Sequence, residues 1–263
     1  MDKLINGARI HYRRSGFGFP VMFLHAGVAD SRMWEPQAAG LAKHFDVIAP
    51  DRRGYGDSEL PAGPWSPAAD VLALMDALGL RDAPHLVGCS IGAMLAINFA
   101  LEHPQRVSKL VLVGVGGSAL FEDAKYKDLY AEVITAERAH DMAALNEAEA
   151  RLWLDGPGRP RGHVDKPLRD LFLDMNGRAL LSDFHSAPEQ ELEAPALGRL
   201  GEIKSPTLVV VGDADVPPVH ETADLLVSKI RGARKVVIHD AAHLPNMEHP
   251  DKFNRMLVDF LNG

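Results

Sequence analysis

His85-Leu86-Val87-Gly88-Cys89-Ser90-Ile91-Gly92-Ala93 is the stretch on which the fold turns. Pro84 to Val87 is short, apolar and β-leaning, while Ile91 to Leu101 is apolar at nearly every position, as a buried helix is. Between them sits G-x-S-x-G, which places Ser90 at a corner where strand gives way to helix. Such a corner holds its serine in a strained backbone conformation with the hydroxyl exposed. Gly88 and Gly92 remove Cβ atoms that would collide with the neighbouring helix and strand. The N–H of Ile91 lies in the first helical turn, so it has no acceptor within the helix and can serve a developing oxyanion. Three fixed residues recur often by chance, and the plain alternative is a serine that caps a helix. The strand before it and the helix after it favour a nucleophile.

A serine nucleophile needs a base, and the base needs an orienting acid. Chain order in this kind of fold is Ser, then Asp or Glu, then His. Thr207 to Val211 (TLVVV) is a buried strand ending in Gly212-Asp213-Ala214-Asp215, and Arg234 to His239 (RKVVIH) is a strand followed by Asp240-Ala241-Ala242-His243. Both candidates fall just past the C-terminal ends of strands, as Ser90 does. Loops there converge on the crevice where open parallel sheets bind ligands. His243 is the candidate base, and Asp213 and Asp215 are both candidate acids at this point. Asp240 shares the loop of His243 and reads as structural.

On these residues the chain resembles the α/β-hydrolase superfamily over nearly its whole length. The marks are His25-Ala26-Gly27, Asp51-Arg52-Arg53-Gly54-Tyr55-Gly56-Asp57-Ser58, the Ser90 corner, Gly212 to Asp215, and His243 followed by Glu248-His249-Pro250. Within it, the chain is most similar to small bacterial carboxylesterases and 3-oxoadipate enol-lactonase-like hydrolases. The resemblance implies an α/β-hydrolase fold, a mostly parallel sheet flanked by helices with an inserted helical cap. It selects Asp215 as the acid, because the family's acid falls three residues after the glycine. It also makes the N–H of Gly27 the second oxyanion donor beside Ile91. Ala26 stands where the family has glycine. Alanine has less freedom at positive φ, so the loop is expected to sit slightly differently.

The chain has 263 residues, 46% of them hydrophobic, enough for an α/β core with or without a small lid. A net charge of −8 with scattered Lys and Arg argues against nucleic acid. The single cysteine, Cys89, cannot form an internal disulfide, which fits a reducing compartment. It precedes the corner and is expected to point into the sheet as a small apolar side chain, not to act as a thiol nucleophile. The N-terminus shows no signal-peptide pattern, and no apolar stretch approaches the ~20 residues that span a bilayer. The expected setting is cytoplasmic, with no membrane partner. His239, His243 and His249 match no recognised metal spacing, so neither a metal nor a cofactor is expected.

Along the chain, Ala8 to Arg13 alternates as a half-exposed edge strand does. Val21 to Leu24 and Phe45 to Ala49 read as strands, with a helix between them capped by Asp30 or Ser31. Trp34 on that helix reads as packing, and Arg52, Arg53 and Asp57 as a loop held by arginine–carboxylate bonds. Ser66 caps a helix that Gly79 ends. Lys109 to Val113 is another strand. The following Gly114-Val115-Gly116-Gly117-Ser118-Ala119 matches a dinucleotide fingerprint only superficially, because no second βαβ unit with a terminal acid follows. From 118 to 200 the alternation stops. Three helical stretches replace it, Phe121 to Arg138, Met142 to Trp153 and Pro167 to Phe184. An all-helical insertion between strands of a parallel sheet reads as a lid. The chain thus divides into core residues 1–117, a cap at 118–200, and core residues 201–263.

The chemistry expected is hydrolysis of a carboxylic ester or lactone of a small to medium, partly apolar substrate, through an acyl-enzyme on Ser90. Val28, Trp153 and Leu244 are candidate substrate contacts. C–C bond hydrolysis of a ring-fission product uses the same three residues. Relatives of that kind carry Gly-Pro-Gly where Val28-Ala29-Asp30 stands. Perhydrolase or hydroxynitrile lyase chemistry also fits the fold, as does a non-catalytic binding role. Pairing into a homo-oligomer through the cap or a sheet edge is left open.

Overall fold

A computed structural model of the chain describes residues 1–116, 126–182, 187 and 196–263. The described strands are β1 (Asp2–Ile5), β2 (Ala8–Gly16), β3 (Phe19–Leu24), β4 (Phe45–Pro50), β5 (His85–Cys89), β6 (Leu110–Val113), β7 (Thr207–Gly212) and β8 (Arg234–Ile238). They form one sheet in the order β1-β2-β4-β3-β5-β6-β7-β8. β1 and β2, and β2 and β4, pair antiparallel, and every later pair is parallel. The continuous apolar runs of β3 to β7 follow from burial on both faces of a parallel sheet.

One strand expectation is corrected. β2 is not the edge; β1 covers it. β1 escapes a reading by periodicity because only Ile5 of its four residues is buried. Such an exposed edge leaves no alternation to detect. β8, the opposite edge, is largely exposed for the same reason.

Helices α1 (Glu35–Leu41), α2 (Pro67–Ala77) and α3 (Ile91–Glu102) intervene between the early strands. α7 (Pro217–Lys229), the short α8 (Pro245–Glu248) and α9 (Pro250–Asn262) belong to the last third. α8 was not foreseen, since four residues carry no helical period. Their capping follows the sequence: Asp30 accepts from the N–H of Arg32 at 3.0 Å ahead of a 3₁₀ turn that leads into α1, and Ser66 accepts from Ala69 at 3.2 Å ahead of α2. Trp34 is fully buried between Phe23 and Phe253.

Between β6 and β7 the described residues hold α4 (Ala131–Arg138), α5 (Met142–Glu149), a π-type turn at Ala150–Asp155, and α6 (Lys166–Leu180), with no strand among them. Of the first expected helix, Phe121 to Arg138, the described residues are α-helical from Ala131, with Tyr126 in a 3₁₀ turn and Lys127 to Tyr130 in turns; residues 121–125 lie outside the described set. So do the 118 boundary, Gly117 to Ala119, and Phe184. α6 ties to the 51–58 loop through Arg178 to the Asp57 carboxylate at 2.7 Å and to the Gly56 carbonyl at 2.8 Å. Arg32 reaches Asp174 on the same helix at 2.6 Å. Arg53 makes a fork on Asp70 and a further bond to the Asn6 carbonyl, so its side chain is held by an arginine–carboxylate pair within the fold.

The corner itself is tight. A Cβ on Gly92 would run into the carbonyl oxygens of Leu24 and His25, and one on Gly88 would meet the Gly92 backbone. Helix α3 can pack on β3 and β5 this closely only without those atoms. Gly92→Ala is therefore expected to lose about 1–3 kcal/mol of stability by overpacking against immovable backbone, read from the urea midpoint. An unchanged midpoint would refute the close approach.

Candidate active site

Leu24 of β3 pairs with Gly88 of β5, and Cys89 of β5 with Val113 of β6. Three strands therefore end side by side. Ser90 leaves β5 with its N–H on the Val113 carbonyl at 2.8 Å. Its backbone stands at φ 55°, ψ −120°. A non-glycine residue is held there at a cost of about 1–3 kcal/mol, which the packing of the two glycines sustains.

His243 arrives from the far side. Its Nδ1 lies 2.9 Å from Oδ2 and 3.1 Å from Oδ1 of Asp215. Both side chains are buried. Asp215 Oδ1 also accepts the Val216 N–H at 2.7 Å. An ionised carboxylate can only accept, so Nδ1 carries the proton and Nε2 is left as the basic nitrogen. The imidazole packs on Gly114, where a Cβ would stand 3.1 Å from Nδ1. Gly114 directly follows the residue whose carbonyl holds the N–H of Ser90, and this sets the ring beside the serine corner.

Asp213 goes elsewhere. Its carboxylate accepts the Asp240 N–H at 2.8 Å and meets His239 Nδ1 at 3.0 Å. Of the two acids left open by residue type alone, only Asp215 touches His243. Asp240 sits at φ 59° and bonds Arg159.

The oxyanion candidates are neighbours. A Cβ on Gly27 would come 3.5 Å from Ile91 Cγ2 and 3.8 Å from the Tyr55 hydroxyl. Ala26 is not among the residues at positive φ, so alanine there carries no strain. His25 braces this loop: its Nε2 accepts the Arg52 N–H at 2.9 Å, and its Nδ1 is 2.8 Å from the Ala26 carbonyl oxygen. Burial, with help from Arg52, lowers its pKa to about 4, and the neutral ring satisfies both bonds. Cys89 is completely buried, and desolvation pushes its thiol up, away from thiolate chemistry.

Of the candidate substrate contacts, Val28 is half-buried, and Leu244 is wholly buried where α8 begins. The Trp153 ring lies 4.5 Å from the His243 imidazole, tilted by 41°, and its carbonyl accepts the His243 N–H at 3.2 Å. It braces His243 directly, a contact that apolar patterning did not reveal. Glu248, which stands in one of the quoted marks, makes a contact near His243 that its position in sequence did not reveal. Its Oε1 accepts the N–H of Ala242, next to His243, at 2.8 Å. Among the described residues, the one cluster with ligand atoms close enough for a metal is His11, Asp51 and Asp57. Asp51 spends both oxygens there on the N–H groups of Ser31 and Asp57.

A model of the alpha/beta hydrolase fold family matches residues 20–250. The 2-hydroxy-6-oxo-6-phenylhexa-2,4-dienoate hydrolase of Burkholderia cepacia is 33% identical, covering 100% of this chain and 94% of the relative. The 2-hydroxymuconate semialdehyde hydrolase of Pseudomonas sp. (strain CF600) is 30% identical, covering 97% and 91%. Among solved structures, the enol-lactonase from Burkholderia xenovorans LB400 matches with a TM-score of 0.79 and 29% identity over 100% of both chains. With the serine corner, the sheet order and these full-length similarities in agreement, the chain belongs to the α/β hydrolase fold family.

Proposed function

We propose that this chain is a serine hydrolase that opens a carboxylic ester or lactone of a small to medium, partly apolar substrate. The observation that carries the reading is the buried Asp215–His243 pair beside a serine held at φ 55°. In this reading Ser90 Oγ attacks the acyl carbon while His243 Nε2 takes its proton. Asp215 holds the imidazole tautomer and stabilises the imidazolium. The N–H groups of Gly27 and Ile91 receive the oxyanion, and His243 returns the proton to the leaving alkoxide. Water then attacks the acyl-Ser90 ester, with His243 as its base, and releases the acid. Residues 118–200 act as a cap over the strand ends.

Hydrolysis of p-nitrophenyl esters of graded acyl length and of a set of lactones tests this, with Ser90→Ala as the blank. Turnover absent from the variant is the expected result, and the preferred acyl length gauges the pocket. Wild type equal to the blank on every ester and lactone would refute the reading.

Similarity to dienoate hydrolases supports a second reading, C–C hydrolysis of a 2-hydroxy-6-oxo-dienoate by the same residues. Two observations rank it below the first. Val28-Ala29-Asp30 replaces the Gly-Pro-Gly run expected of such enzymes. The alignment with the Burkholderia cepacia enzyme spans 285 positions against 263 residues here, so that relative has segments with no counterpart in this chain. The enol-lactonase matches from end to end. Consumption of a 2-hydroxy-6-oxo-dienoate faster than any ester would reverse the order.

A further inference from the structure

The loop that carries His243 is held from the cap side at four points. The Trp153 carbonyl accepts the His243 N–H. Gly156, at φ 84°, lies so close to the acid and base loops that a Cβ there would meet the Ala214 carbonyl at 2.6 Å and the Ala242 methyl at 3.1 Å. Arg159 bonds Glu248 Oε2 at 3.2 Å through Nη1 and Asp240 Oδ1 at 3.0 Å through Nη2. Glu248 in turn accepts the Ala242 N–H on its other oxygen. Its side chain is only 4% exposed, and that of Arg159 11%. The segment is internally rigid as well: fully buried Asp155 accepts the N–H groups of Gly162 and His163 at 3.0 Å and a bond from Arg169. Among the described residues, Glu248 thus links the backbone next to His243 directly to a cap side chain.

We infer that Glu248 is a positioning residue for His243, and that Arg159 of the inserted segment holds it in that role. This rests on the reading of His243 as the base. The physical reason is geometric. Ala242 and His243 are adjacent, so a bond that fixes the Ala242 peptide plane fixes where the imidazole begins. Displacements of about 1 Å in a reacting group can cost about 10²-fold in rate. A charge-assisted bond from a buried carboxylate restrains that plane more firmly than a neutral one.

The charges around the carboxylate make the role sensitive to pH. Glu248 faces Arg159 from the cap and Asp215 from the acid loop; Arg159 also bonds Asp240, beside which His163 stands at 3.4 Å. His249 Nε2 is 2.7 Å from the Asp240 carbonyl oxygen. Desolvation is the largest influence, and it raises the Glu248 pKa to about 7 despite Arg159. Above that pH the carboxylate is charged and grips both Arg159 and Ala242. Below it, the group is a neutral acid, close in charge and shape to glutamine.

The experiment compares wild type, Glu248→Gln, Arg159→Met and Arg159→Lys on one ester substrate, with rates normalised to serines titrated by a fluorophosphonate. Arg161→Ala, which removes an exposed cap ion pair to Glu132, serves as the control. At pH 8 the expected kcat per titrated serine falls about 10-fold in Glu248→Gln and Arg159→Met with KM little changed, and Arg159→Lys recovers part of it. The ratio of wild type to Glu248→Gln is expected to shrink toward one as pH drops through about 7. Both proteins keep His243 and Asp215, so the ratio reads what the Glu248 carboxylate adds. A variant that merely folds less well loses titratable serines, not rate per serine. Kcat per serine within twofold of wild type for both Glu248→Gln and Arg159→Met at pH 8 overturns the inference. A ratio that is large but flat with pH overturns the charge-dependent part. Wild-type protein that neither turns over nor takes the label refutes the reading of Ser90 and His243 instead, and the inference falls with it.

Discussion

Ser90→Ala is expected to lower kcat about 10⁴–10⁶-fold on any ester the wild type hydrolyses, while the unfolding free energy from urea titration stays within about 0.5 kcal/mol of wild type. The two halves of that expectation have separate causes. Without Oγ there is no covalent step, and what survives comes from binding and the oxyanion donors, about 10³–10⁴ over water. Alanine keeps a Cβ at φ 55°, so the backbone strain of the corner stays as it is. Ser90→Gly separates the two further. It abolishes the same chemistry but relieves the strain, and should be at least as stable as Ser90→Ala. Substantial residual turnover in Ser90→Ala would show that another group is the nucleophile.

Asp215→Asn is expected to cost about 10⁴ in kcat, against less than tenfold for Asp213→Asn. The difference follows from the hydrogen bonds at each position. Oδ1 of Asp215 already accepts the Val216 N–H at 2.7 Å, while Oδ2 stands 2.9 Å from His243 Nδ1. An asparagine amide keeps its oxygen on the backbone N–H and so turns its NH₂ toward Nδ1. The imidazole must then accept at Nδ1 and carry its proton on Nε2, where it cannot take one from Ser90. Its imidazolium also loses its counter-charge. The Asp213 carboxylate bonds His239 and the backbone of Asp240 and Ala241, not His243, so its amide leaves the tautomer of His243 alone. Equal losses in the two variants, measured as kcat at pH 8, would break this assignment.

Residues far apart in sequence were legible as a set because each stands at the end of a short apolar run. β5, β7 and β8 announce themselves by composition, and the residue after each is polar. Gly88 and Gly92 were equally legible, since a helix that leaves a strand at once has no room for Cβ atoms there. β1 and α8 were not, because four residues, mostly exposed or without a helical period, leave no signal.

By itself the sequence determined the α/β layering, the serine corner and the two short lists from which an acid and a base had to come. Local rules suffice there: apolar runs, turn glycines and chain order depend on neighbours a few residues away. Residue type left Asp213 and Asp215 both open and the family resemblance selected Asp215; the tertiary structure sets Asp215 on His243 and Asp213 on His239. Tertiary structure alone decided that Trp153 and Arg159, more than eighty residues before His243, contact the His243 loop and its neighbour Glu248. In one dimension Trp153 reads as a candidate substrate contact, and Arg159 carries no signal. Their partners lie across a gap in sequence that no periodicity spans.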